Sequence, residues 1–278
     1  MVEERGTASL VVRSADVYWS LNPGELWRYR ELLYFLAWRD IKVRYKQTML
    51  GVLWVVLQPV AISFTLTLFL GNLVRVPSNG LPYVVFAFCA MIIWQLFSNI
   101  LIETSNCLIS NEPLISKVYC PRLIIPLSVV LASLPDFLIS VGILALFLAH
   151  YRVALFASVW VAPLVVLLNI LIALGVGLWL AALNVKYRDV RYTVGFLIQL
   201  WLFASPVAYP SSMVPDRWRY WYGLNPLVGV VEGFRWAITG RGPPPIDLLG
   251  ISACVAVVLL LTGLYFFRRT EGTFADFI

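Results

Sequence analysis

Long apolar runs separated by short polar stretches occupy most of this chain of 278 residues. A helix needs about 20 apolar residues to cross the hydrocarbon core of a bilayer. Lipid offers the backbone no hydrogen-bond partners, and the runs lack the alternation that is typical of barrel strands. The pattern therefore predicts an all-α membrane protein with spanning helices at 48–73, 83–102, 123–149, 155–183, 193–209 and 247–267.

The segment before the first run is polar or amphipathic. Residues 1–24 form an N-terminal cytoplasmic tail that ends in the turn sequence Asn-Pro-Gly. Residues 25–47 place apolar and charged side chains on roughly opposite sides of a helix, which predicts an amphipathic interfacial helix. This helix fits either a simple membrane anchor or a docking surface for a cytoplasmic partner. Residues 48–278 then form the six-helix transmembrane domain.

The stretch between the fifth and sixth runs, 210–246, is rich in Trp, Tyr and Arg. Its apolar part, 224–238, is too short to cross a bilayer. We expect two short re-entrant helices on the outer side, divided near Asn225-Pro226. An external loop with an aromatic belt at the lipid headgroups explains the aromatic residues about as well.

Composition and charge set the compartment and the orientation. With 60% hydrophobic and 13% charged residues, the chain is not a soluble protein. If the N-terminus is inside, 15 of the 21 Lys and Arg residues lie on the inner side, so both termini are expected in the cytoplasm. The net charge of +6 reflects this bias, and membrane lipid rather than nucleic acid is the expected neighbour.

The chain lacks the residues of an enzyme. None of its lysines follows Gly or precedes Ser or Thr, so there is no phosphate-binding P-loop. It has one histidine, no acidic cluster and four scattered cysteines, which predict no catalytic or metal site and no cofactor in this chain. Asp136, inside the third run, fits a proton relay or, better, a carboxylate bonded to a neighbouring helix.

Aromatic side chains in two of the runs suit a sugar polymer, because an aromatic face stacks on the apolar face of a sugar ring. Core packing or contact with lipid is the alternative for any single one of them. As a group we predict a substrate channel lined by aromatic residues of the first and fifth spans: Trp54, Phe64, Phe196, Trp201, Phe203 and Tyr209.

Several short motifs, in order and at characteristic spacing, extend over most of the chain. They are RDIKVRYK at 39–46, the inner-loop residues Asn111 and Leu114, NVKYRDV at 184–190, SPV at 205–207, LNPL at 224–227 and FAD at 274–276. In these motifs the chain resembles the permease of bacterial ABC exporters for lipid-linked polysaccharides, which include O-antigen, capsule and teichoic-acid exporters. Cys120 stands where the family more often has an aromatic residue.

The resemblance implies a homodimer in the bacterial inner membrane, paired with two copies of a cytoplasmic ATPase that holds ATP and Mg²⁺. It implies a channel between protomers for a lipid-linked polysaccharide, most of all O-antigen. It also assigns contact with the ATPase to the interfacial helix and the inner loop, with coupling residues Arg39, Lys42, Asn111, Glu112, Leu114 and Lys117. Two alternatives remain: a similar ABC permease for a small lipid or drug, and an ion-coupled carrier that uses Asp136.

Overall fold

The computed structural model describes residues 23–46, 52–117, 120–187 and 189–272. Over these ranges the chain forms helices that we number in chain order: α1 (Pro23–Arg28), α2 (Arg30–Lys46), α3 (Val52–Leu66), α4 (Tyr83–Ser110), α5 (Glu112–Lys117), α6 (Ile124–His150), α7 (Ala162–Lys186), α8 (Val190–Phe203), α9 (Asp216–Gly223), α10 (Pro226–Thr239) and α11 (Ile246–Glu271). A π-helical stretch, Thr67–Leu73, continues α3, and a 3₁₀ turn, Ala157–Val161, leads into α7. The described residues thus bear out the prediction of an all-helical protein.

Within the described ranges, five helical segments are long and apolar enough to cross a membrane. They correspond to the first four predicted spans and the last one: Leu53–Leu73, Tyr83–Ser110, Ile124–His150, Ala157–Lys186 and Ile246–Glu271. The second is longer than predicted, because the helix continues past residue 102 into the inner loop. A short separate helix, α5, follows it there.

The fifth apolar run forms a shorter helix than we predicted. α8 has 14 residues, so at 1.5 Å per residue it is about 21 Å long, against about 30 Å for the hydrocarbon core. The helix ends at Phe203, and turns follow up to Tyr209. Pro206 accounts for the early end, because proline cannot donate to a helix and disfavours helical backbone in the residue before it. A sixth span remains a prediction.

α4 lies at the centre of the bundle and packs against α3, α6, α7 and α10. Its side chains are buried along most of its length, with Phe86, Phe88 and Phe97 fully enclosed. Two asparagines of α7 bond to its backbone: Asn169 Nδ2 donates to Ile93 O at 3.1 Å and Asn184 Nδ2 to Ser105 O at 2.8 Å. Such interhelical hydrogen bonds hold helices together in lipid, where the hydrophobic effect between helices is absent.

α7 and α11 approach so closely that their backbones touch. A Cβ on Gly263 would lie 2.4 Å from the carbonyl oxygen of Gly175, and a Cβ on Gly175 would lie 2.8 Å from the backbone of Leu259. No side chain fits at either position. Small residues at such a crossing let two helices gain van der Waals contact along their length.

The stretch 210–246 forms two short helices, α9 and α10, and the break between them at Leu224–Asn225 lies beside the predicted division near Asn225-Pro226. Asn225 organises this point: its Oδ1 accepts from Leu227 N, which caps α10, and its Nδ2 donates to Ala204 O at 3.0 Å. Pro226 follows as the first helical residue, a favourable position for proline. Asn225 therefore ties the start of α10 to the end of α8. A re-entrant position for these helices remains a prediction.

Candidate functional site

α2 lies against α6 near the inner end of the bundle. Leu36 and Ala37 are buried, whereas Phe35 is 64% exposed and Val43 is 51% exposed. The predicted helix is present, although it is divided into α1 and α2 at Tyr29. Its amphipathic placement in the interface stays a prediction.

The end of α2 is bonded to a carboxylate inside the third span. Arg44 forms an ion pair with Asp136 of α6, and the hydroxyl of Tyr45 donates to the other oxygen of the same carboxylate. A second acid, Glu103 of α4, lies 3.9 Å from the Arg44 guanidinium. Burial, followed by the hydrogen bond to Asp136, raises the pKa of Tyr45 above its usual 10. Tyr45 therefore remains a hydrogen-bond donor throughout the physiological pH range.

Earlier in α2, Arg39 joins the helix to the loop that follows α4. Arg39 donates from Nη2 to Asn111 Oδ1 at 2.7 Å, and the same nitrogen lies 2.7 Å from Asp40. Asn111 is buried and also donates to Cys107 O at the end of α4. Two predicted coupling residues, one from each of the two segments assigned to ATPase contact, are thus in direct contact.

The remaining predicted coupling residues differ in accessibility. Lys42 is exposed, with its ammonium 5.4 Å from the centre of the Trp38 ring. Glu112 is exposed in the first turn of α5, and Leu114 packs in part against the core. The side chain of Lys117 lies outside the described residues. Lys42 and Glu112 are therefore accessible on the surface of the protomer, and the coupling role of the set remains a prediction.

A polar cleft opens between α3, α4 and α6, above the Arg44–Asp136 contact. It has a volume of about 230 Å³, and Gln58, Gln95 and Asn99 face it together with Trp54. Gln95 Nε2 donates to Asn99 Oδ1 at 3.0 Å, one turn along α4. We did not single out this polar row from the sequence, although Gln95, Asn99 and Glu103 stand four residues apart in an apolar run.

The two α3 aromatics that we predicted to line the channel are exposed in the protomer. Trp54 is 56% exposed beside the polar cleft, and Phe64 is 50% exposed, with one edge packed on Phe147 of α6 at 6.3 Å. The first candidate span as a whole is only 11% buried. Its outer face is therefore free to meet lipid, substrate or a second protomer.

The four channel residues predicted in the fifth apolar run, three in α8 and Tyr209 after it, divide into two pairs. Phe196 and Phe203 are 61% and 76% exposed. Trp201 instead packs edge-on against Phe97 at 5.0 Å and donates from Nε1 to the Asn225 side chain at 3.0 Å.

Tyr209 is also engaged within the protomer. Its hydroxyl donates to Phe203 O and accepts from Tyr222, whose pKa is raised first by burial and then by this hydrogen bond. Among these four residues, Phe196 and Phe203 thus present free ring faces, while Trp201 and Tyr209 hold the end of α8 in place. The lining role remains a prediction for all of them.

Comparison with known proteins identifies the family. The family described as "ABC-2 type transporter" matches residues 31–239. The chain belongs to this family. It is 30% identical over 256 residues to the O-antigen export system permease protein RfbA of Myxococcus xanthus, covering 91% of this chain and 98% of that relative. It is 29% identical to RfbA of Klebsiella pneumoniae, with 89% and 95% covered, and 26% identical to the polysialic acid transport protein KpsM of Escherichia coli, with 84% and 91% covered.

The ABC-2 match begins in the first turn of α2 and ends with the last residue of α10. It therefore contains the Arg44–Asp136 contact, the Arg39–Asn111 bond, the polar cleft and α8. The likeness to the three relatives extends over most of the chain. This chain is accordingly a multi-pass membrane transporter subunit.

Proposed function

We propose that this protein is the permease subunit of an ATP-driven exporter that moves lipid-linked O-antigen polysaccharide out of the cytoplasm across a bacterial inner membrane. The observation that carries the proposal is the end-to-end likeness to two permeases named for O-antigen export. The exposed aromatic side chains of α3 and α8 agree with a path for sugar rings, because each ring can stack and leave at a cost of only about 1 kcal/mol.

The proposed assembly is a homodimer whose channel lies between protomers, lined by α3 and α8. Support comes from the exposed side chains of both helices in the protomer. Phe196 and Phe203, seven residues apart on one exposed face of α8, would line an enclosed path only if a second protomer formed its other side. α9 and α10 would then be re-entrant and shape the outer exit, and α8 with the turns that follow would supply the sixth crossing.

Energy would come from a separate cytoplasmic ATPase, in two copies, that contacts α2 and the inner loop. The Arg39–Asn111 bond supports this, because force on either segment would reach both. Charge reversal of the exposed pair, Lys42→Glu with Glu112→Lys, should leave ATP hydrolysis in place and reduce export. The matched control is Arg152→Glu, an exposed cation in the connection between α6 and α7. Unchanged export per ATP in the reversed variant would refute the docking surface.

Orientation with both termini inside follows from the distribution of basic residues. In intact cells, Trp218→Cys should react with an impermeant thiol reagent and Lys186→Cys should react only after the cells are opened. Labelling of Lys186→Cys from outside would overturn this topology. The native cysteines should be replaced first, because Cys254 is exposed in α11.

Deletion of the gene tests the function directly. Cells that lack the protein should lose surface O-antigen and accumulate lipid-linked polymer inside, and the wild-type gene should restore export. Surface O-antigen at the wild-type level in the deletion strain would refute the proposal. The ion-coupled alternative is disfavoured because Asp136 is already bonded to Arg44 and Tyr45, whereas a carrier needs a carboxylate that exchanges its partner.

A further inference from the structure

A second cavity, larger than the inner cleft, opens at the outer end of the protomer. Its volume is about 770 Å³, within the range of small-molecule binding sites. It is built from the connection before α4, the residues that follow α8, the last turns of α10 and the connection to α11. Its lining therefore includes residues of the segment 210–214, which follows the candidate channel helix α8 in the chain.

The lining of this cavity contains a buried arginine with one donor group that makes no hydrogen bond. Arg235 of α10 is 3% exposed, and its guanidinium carbon lies 3.6 Å from the centre of the Phe86 ring. Nη2 donates to Pro206 O at 3.0 Å and Nη1 is paired with Glu232, while Nε makes no hydrogen bond. Buried donors without acceptors are costly, and natural proteins retain them mainly where function requires them.

An acid stands beside this arginine. Glu232, one turn earlier on α10, holds Oε1 3.3 Å from Arg235 Nη1 and accepts from Ser211 N at 2.9 Å. The two side chains thus present donor and acceptor groups next to each other at one wall of the cavity. A hydroxyl group placed there could accept from the guanidinium and donate to the carboxylate.

The charges of the lining select the class of ligand. The described charged residues that line the cavity are two acids, Glu232 and Asp247, and two bases, Arg235 and Arg241. An anion would be repelled by the first pair and attracted by the second, so a phosphate gains little here. A neutral ligand with many hydroxyl groups can donate hydrogen bonds to the acids and accept them from the arginines.

The remaining walls suit such a ligand. Trp236 lines the cavity and offers an aromatic surface, and a run of three prolines, 243–245, also lines it. Proline has a fixed φ, so this segment loses little conformational freedom when a ligand binds. Arg241 is bonded to the backbone of Gly80, which joins the segment before the prolines to the connection before α4.

We propose that this outer cavity is a saccharide subsite that holds one to a few neutral sugar residues of the polymer as it leaves the permease. Glu232 and Arg235 bind hydroxyls and Trp236 contacts a ring face. The proposal rests on the proposed function in naming the polymer as the ligand. It adds a site that retains the exported segment at the outer face.

The test uses the complete transporter in lipid nanodiscs and short O-polysaccharide fragments, freed from lipid by mild acid hydrolysis, as the probe. Binding is followed by saturation-transfer NMR. Ser212→Trp fills the cavity from an exposed position, and Met213→Trp adds the same side chain at the next residue, which does not line it. We expect about a tenfold loss of affinity for the first variant and no change for the second.

Arg235→Lys keeps the charge and removes the planar fork, so about a fivefold loss is expected. Its folding is checked by thermal unfolding, and if it does not fold the Ser212 and Met213 pair decides alone. Wild-type affinity in Ser212→Trp, or displacement of the fragments by inorganic pyrophosphate, would overturn the proposal. If the deletion strain keeps its surface O-antigen, the proposed function fails. If it loses O-antigen while Ser212→Trp binds as wild type, only the cavity assignment fails.

Discussion

The contact of Arg44 and Tyr45 with Asp136 should be one of the strongest polar links between α2 and the spanning helices. The perturbation is a double-mutant cycle of Arg44→Met and Asp136→Asn, which keeps side-chain volume and removes the charges one at a time. The Asp136 side chain is 9% exposed and that of Arg44 is 28% exposed, so the pair lies between the buried and surface cases.

The burial of the pair sets the expected magnitudes. Loss of one partner from a buried ion pair costs about 3–5 kcal/mol, and exposed pairs contribute about 0–1 kcal/mol. Arg44→Met leaves the carboxylate of Asp136, the more buried partner, without its cation, so we expect a loss of about 3 kcal/mol in the free energy of unfolding. Asp136→Asn retains an amide oxygen for Tyr45 and leaves Arg44 near Glu103, so we expect about 2 kcal/mol. The double variant should cost about 3 kcal/mol, which gives a coupling energy of about 2 kcal/mol.

Equilibrium unfolding by SDS in mixed micelles measures all four proteins of the cycle. Lys42→Met, an exposed cation on the same helix, is the control and should change stability by less than about 0.5 kcal/mol. If the two single changes add within about 0.5 kcal/mol, the residues do not interact and the reasoning fails. Export per ATP should fall in both single variants, because α2 loses its attachment to α6.

Three further outcomes are expected. Phe203→Ala, at a 76% exposed position, should reduce export of long polymer several-fold without loss of assembly. The control Leu261→Ala, at a 59% exposed position on α11, should leave export unchanged. Equal export by the two variants would show that Phe203 does not line the channel. Gly263→Ala should cost about 1–3 kcal/mol, since its Cβ would lie 2.4 Å from a carbonyl oxygen of α7, whereas Gly142→Ala meets open space and should be neutral or stabilising in thermal unfolding. Because the pKa of Tyr45 is raised in the folded state, its contribution to stability is complete below about pH 10 and is lost as the pH rises further. Tyr45→Phe should therefore show a smaller fall in melting temperature at alkaline pH than the wild type. An equal fall in both proteins would refute this role of Tyr45.

The spanning helices were predictable because each is decided locally. An uninterrupted apolar run of more than about 20 residues has one stable solution in lipid, and the five candidate spans match the predicted runs. α8 was predicted too long because apolar side chains continue past its end. Pro206 ends the helix there, and Asn225, 19 residues later, holds the end of the helix through hydrogen bonds of its side chain to Ala204 and Ser205.

The contacts between side chains of different helices were harder to predict from the sequence. Phe196 and Phe203 share an exposed face, as their seven-residue spacing suggests, but the spacing does not reveal that Trp201 turns inward to Phe97. That depends on where α8 crosses α4. Phe266 illustrates the same limit: its position in the last span suggests contact with lipid, yet its ring stacks on Trp179 at 4.2 Å.

Asp136 joins these observations to the mechanism. An isolated acid in an apolar run makes a poor proton relay, and its two donors come from α2, about 92 residues away in sequence. A charge at this depth is tolerated only with partners, so the bundle is stable with α2 in place and less stable with α2 displaced. A movement imposed on α2 from the cytoplasm must then either carry α6 with it or break the contact at a cost of several kcal/mol. The contact therefore links a displacement of α2 to α6, which borders the polar cleft.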